Sequence, residues 1–166
     1  MTTITKVYKE RMPATRFIGK KYGNEDRVDG GFGHLWEEWW SADYWKIIKA
    51  NVNGELADYF ENGDATIGLM TAENGIFQYW IGYFTPTTTP VPDGFQSVDF
   101  AASNLGVCWV HGHEHEVFMQ EEKCAKQLAE AGMKINDNWC FERYTCRFDE
   151  QDSDGKIILD ICYFVE

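Results

Sequence analysis

The stretch YWIGYF at residues 79–84 has a counterpart, LDICYF, at residues 159–164, and this pair decides the fold. Each is a short apolar run ending in an aromatic pair, and each closes a series of elements that read alike. Ahead of the first, ATIGLM (65–70) and GIFQYWIGYF (75–84) read as two strands, with the Asn-Gly of AENG (72–75) as a hairpin signal between them. Before these, FGHLWEEWWSADYWKIIKAN (32–51) reads as one amphipathic helix. Phe32, Leu35, Trp36, Trp39, Trp40 and Ile47 recur at three- and four-residue steps, and Glu37 and Glu38 fall opposite. TKVYKERMPATRFIGKKYG (5–23) reads as a bent or interrupted strand, broken at Pro13.

The second half repeats the order. VDFAASNLGVCWVHG (98–112) contains a strand. EHEVFMQEEKCAKQLAEAGMKI (114–135) reads as a helix with Gly132 at its stop. CFERYTCRF (140–148) and KIILDICYFVE (156–166) read as strands joined by the turn-rich DEQDSDG (149–155). Two strand–helix–strand–strand series predict an α+β protein of duplicated βαββ halves with antiparallel sheets and a pseudo-twofold. The halves span about 1–84 and 96–166. The linker, about 85–95, holds three of the four prolines.

Composition narrows the function. The net charge of −12, from 27 acids against 15 bases, argues against nucleic acid and favours a cation if the ligand is charged. Seven Trp, eight Tyr and eleven Phe are more rings than a small core requires, as in an aromatic-lined pocket. Five scattered cysteines, none in C-x-x-C, predict a reducing cytoplasm. Neither a secretion signal nor a membrane span is read from the chain.

WVHGHEHEVF (109–118) places His111, His113 and His115 where a metal site could be sought. Gly112 interrupts the strand there, and Glu114 and Glu116 read as the first turn of the following helix, which splays the rings apart. The expectation is a polar junction with no metal and no cofactor. In CFERYTCRF, strand alternation puts Glu142, Tyr144, Cys146 and Phe148 on one face and Phe141, Arg143, Thr145 and Arg147 on the other. Two readings of Glu142 stay open: a paired or working carboxylate on a buried face, or a strand-end residue reaching solvent or an arginine.

The order βαββ–linker–βαββ, with ATIGLM, FQYWIG (77–82), VPDGF (91–95), VCWVHG (107–112) and FERY (141–144), resembles the GyrI-like small-molecule-binding family over nearly the whole chain. That family includes stand-alone proteins and the effector-binding domains of AraC- and MerR-type multidrug regulators. The resemblance implies a ligand crevice between the halves, walled by rings and holding a late glutamate that pairs with lipophilic cations. Carried over, that glutamate is Glu142, with Tyr144 beside it. The wall candidates are Trp36, Trp39, Trp40, Tyr79, Trp80 and Trp109, with core packing as the plain alternative for each. The chain departs from the family in having DFAASNLG (99–106) where a proline often precedes the fourth strand. It also has no helix-turn-helix segment, so DNA binding by this chain alone is not expected.

The implied function is a stand-alone binder of lipophilic, often cationic, drug-like molecules. One alternative is a hydrolase of cyclopropane-bearing electrophiles. There Glu142 would deprotonate water, and Tyr144 or Tyr79 would hold a carbonyl as charge develops. The other is a protein-interaction module, such as a gyrase modulator, whose partner the sequence does not name.

Overall fold

The structure, a computed structural model, describes residues 1–166. In chain order the elements are β1 (Thr3–Met12), β2 (Thr15–Tyr22), α1 (Gly33–Ser41), α2 (Tyr44–Lys49), β3 (Thr66–Thr71), β4 (Gln78–Thr85), β5 (Gln96–Phe100), β6 (Ser103–Gly112), α3 (Glu121–Glu130), β7 (Ile135–Tyr144), the single turn α4 (Cys146–Asp149) and β8 (Ile157–Val165). The protein is α+β, with antiparallel strand pairing in both of its compact units. No helix is long and apolar enough to cross a membrane.

The central unit is Pro13–Ala101, and the terminal unit joins Met1–Met12 to Ala102–Glu166. In the central unit β4 lies between β3 and β2, and β5 adds to the far side of β2. In the terminal unit β8 lies between β6 and β7, and β1 adds to the far side of β6. The segment expected as one interrupted strand is thus two strands, β1 and β2. Pro13 supplies no N–H and separates them, and they pair in different units. Likewise, VDFAASNLGVCWVHG holds part of β5 as well as β6, where one strand was expected.

The expected helix over 32–51 is broken. Ala42 still donates to Glu38 O, but Asp43 is left-handed (φ 51°), a conformation that aspartate tolerates better than most residues. The break turns Trp45 and Ile48 into the core beside Trp39, and leaves Trp40 and Ile47 exposed although their spacing put them on the apolar side. The expected helix over 114–135 is shortened in the same manner. Glu114–Glu116 forms a separate 3-10 turn, not the first turn of α3, and left-handed Met119 (φ 61°) stands between the two. Gly132 (φ 85°) ends the helix where expected, and Asn74 and Gly75 are both left-handed in the β3–β4 hairpin.

Gly19 and Gly82 face each other across β2 and β4. A Cβ on Gly82 would lie 2.1 Å from Ile18 O, and one on Gly19 would lie 2.0 Å from Ile81 O. Two bare glycines therefore permit a backbone approach that no other residue allows.

Candidate functional site

The strand CFERYTCRF ends four residues early. Thr145 is extended, its Oγ1 accepts the Arg147 N–H at 3.2 Å, and the chain turns into α4. Cys146 and Phe148 therefore leave the strand, contrary to the alternation read from sequence. Phe148 still packs edge-on against Tyr144, with ring centroids 4.7 Å apart.

Register fixes the faces of the terminal unit, since directly opposed residues share a side. Val7, Cys108, Ile161 and Glu142 stand in line across β1, β6, β8 and β7. This is the face on which α3 lays Cys124 and Leu128, and Tyr144 packs into the same cluster. Glu142 is only 7% exposed. Its neighbour two residues back, Cys140, has its thiol pushed up to about 12, first by burial and then by the negative fields of Glu121 and Glu142.

On the opposite face Lys6, Trp109, Asp160 and Arg143 are aligned. Arg143 Nε donates to Asp160 Oδ2 at 3.0 Å, and its terminal nitrogens donate to Glu10 at 2.9 and 3.3 Å. Arg147 Nη2 donates to Asp160 Oδ2 at 2.6 Å, and Nε reaches Oδ1 at 3.3 Å. Two guanidinium groups thus balance two carboxylates, with Asp160 fully buried. Trp109 lies beside this network. Lys6 Nζ and the Arg147 guanidinium stand over its ring at 4.6 and 4.5 Å, and Tyr8 meets it edge-on. Sequence reasoning passed over this network, although a lone aspartate inside the apolar run IILDICYF was its signal.

In the central unit the rings sort into distinct roles. Trp36 Nε1 donates to Tyr79 Oη at 3.0 Å, and Tyr79 stacks on Phe32 at 4.3 Å. Trp39 Nε1 donates to Tyr22 Oη at 2.9 Å, and Trp39 is wholly buried. Trp80 is buried beside Phe17, and its Nε1 donates to Gln78 at 3.2 Å. Trp40 is 60% exposed and Trp36 is partly exposed. Trp45, which was not among the sequence candidates, touches Trp36, Trp39, Trp40 and Tyr83.

The three histidines do not converge. His111 Nε2 lies 2.8 Å from Asp152 Oδ2, whereas His113 and His115 stack on each other with ring centroids 5.9 Å apart. Asp152 is held down to about 2. The Lys156 N–H, His111 and the Asp154 N–H all donate to its carboxylate.

No protein-family model matches the sequence, and no curated protein matches it. Solved structures do match. SAV2435 bound to tetraphenylphosphonium is 19% identical, with a TM-score of 0.66 over 98% of this chain and 94% of that one. A Staphylococcus aureus MU50 protein assigned to bacterial transcription regulation is also 19% identical, with a TM-score of 0.62 over 97% and 98%. A hydrolase encoded by lin2189 of Listeria innocua is 10% identical, with a TM-score of 0.56 over 97% and 92%. The fold is therefore one shared by transcription-regulator-related, ligand-bound and hydrolase proteins.

Proposed function

We propose that this protein is a GyrI-like binder of lipophilic, often cationic, drug-like molecules, with Glu142 as the charge partner and Tyr144 beside it. The observation that carries this reading is a nearly buried carboxylate on the helix-covered face of a fold shared end to end with a protein that holds tetraphenylphosphonium. A carboxylate on a mostly dry face attracts a soft cation, whose apolar bulk tolerates those surroundings. The net charge of −12 raises the local concentration of cations. A cytoplasmic location fits the free cysteines. The test is titration with tetraphenylphosphonium followed by intrinsic fluorescence, since seven tryptophans report on the fold. A saturable change supports binding, and a flat response across a panel of lipophilic cations contradicts it.

A second reading, hydrolysis of a cyclopropane-bearing electrophile, draws on Tyr79. A phenol whose oxygen already accepts a bond from Trp36 is polarised as a donor toward a developing oxyanion. Product formation from such an electrophile tests it.

A further inference from the structure

In the central unit, three indole N–H groups meet different fates. Those of Trp36 and Trp39 each find a tyrosine oxygen. That of Trp45 is buried and has no acceptor, although the residue is only 3% exposed. An unmet buried donor carries the desolvation penalty of the group, which nearly every buried polar atom avoids. Its surroundings are rings. Trp39 lies at 4.5 Å, Tyr83 at 4.9 Å, Trp40 at 5.2 Å and Trp36 at 5.9 Å between centroids. A ring face is at best a weak acceptor, so a ligand oxygen at this N–H would be a clear gain.

One ring of the cluster reaches solvent. Trp40, which touches Trp45, is 60% exposed. Tyr83, also buried, has its phenol held well above its ordinary value, first by burial and then by the fields of Asp64 and Asp43, so it stays a neutral ring wall. Lys49 Nζ stands 5.2 Å from the centre of that ring, which occupies its cation–π position with a cation of the chain's own.

We infer that the Trp36–Trp40–Trp45–Tyr83 cluster is a binding site for neutral aromatic ligands bearing an acceptor oxygen, with Trp45 Nε1–H donating to that oxygen. The ring walls supply apolar contact, and the single placed donor supplies orientation, as in ligand sites generally. The site needs no charge and does not depend on Glu142, so it stands or falls apart from the cation-binding reading. Tetraphenylphosphonium has no acceptor oxygen, and its binding does not report on Trp45.

The probes are benzophenone and diphenylmethane, which share two phenyl rings and differ in a carbonyl against a methylene. In a 15N–1H spectrum of the intact protein, benzophenone should move the Trp45 Nε1–H resonance downfield in a saturable way. Diphenylmethane should not produce that downfield movement. In Trp45→Phe, which keeps a ring and removes the donor, benzophenone should bind roughly three- to tenfold more weakly, the worth of one hydrogen bond. Diphenylmethane should stay within about twofold of its wild-type affinity on the same reasoning. Equal weakening of both ligands would overturn the proposal. So would the absence of a saturable benzophenone shift at Trp45 in the wild type, a measurement that does not require the variant to fold.

Discussion

Asp160→Asn isolates the buried ion network. The carboxylate is fully buried and receives Arg143 Nε at 3.0 Å and Arg147 Nη2 at 2.6 Å. With two arginines against Glu10 and Asp160, the group is neutral as built. The amide leaves one net positive charge: Arg143, 4% exposed, keeps Glu10, and Arg147 loses its carboxylate. Removing one partner of a buried pair costs about 3–5 kcal/mol. Glu10 still faces Arg143, Arg147 is 23% exposed, and the amide oxygen still accepts one bond, so about 2–3 kcal/mol is expected here. For a chain of this size each kcal/mol moves the melting temperature by about 2–4 °C, giving a fall of roughly 4–12 °C. Differential scanning calorimetry of wild type, Asp160→Asn, Arg147→Gln and the double variant would measure it. Arg147→Gln should cost less than Asp160→Asn, and the double variant should cost less than the sum, because the pair is coupled. A fall below about 2 °C, or strict additivity, would show that these charges are not interacting as a buried network.

Gly82→Ala should destabilise by about 1–3 kcal/mol through forced separation of β2 and β4, checked by chemical denaturation; wild-type stability would mean the Ile18 carbonyl is free to yield. Asp152 has a folded value near 2, below its ordinary 3.8. Its contribution to stability is therefore complete above about pH 4 and is lost as pH falls toward 2. Asp152→Asn should flatten the decline of melting temperature over that window, and an unchanged acid limb would contradict the hydrogen-bond assignment at this turn.

The α+β class, the Asn-Gly hairpin and the Gly132 stop were legible because each rests on local chemistry: alternation, turn residues, left-handed glycine. What escaped was decided by tertiary contact. Periodicity carried one helix through Asp43, but burying Trp45 beside Trp39 outweighs the cost of a left-handed aspartate. Alternation carried CFERYTCRF to Phe148, whereas the Thr145 cap and the pull of Asp160 on Arg147 favour a turn. No local pattern says that β1 pairs with β6, a partner about a hundred residues away. At the site, the shared face of Glu142 and Tyr144 followed from a period of two. The orphaned N–H of Trp45 did not, because satisfaction of a donor depends on partners the linear chain does not reveal.

The central claim is that Glu142 recognises the charge of a lipophilic cation, and calorimetric titration of wild type and Glu142→Gln with tetraphenylphosphonium and neutral triphenylphosphine oxide tests it most directly. The amide matches the carboxylate in shape and keeps the fold while removing the charge. A desolvated charge partner is worth a few kcal/mol, so tetraphenylphosphonium should weaken on the order of 100-fold in the variant. Triphenylphosphine oxide should change by less than about threefold, since it presents no cation to the carboxylate. Equal affinity of wild type and Glu142→Gln for tetraphenylphosphonium, or parallel weakening of both ligands, would contradict the assignment of Glu142 as the charge partner.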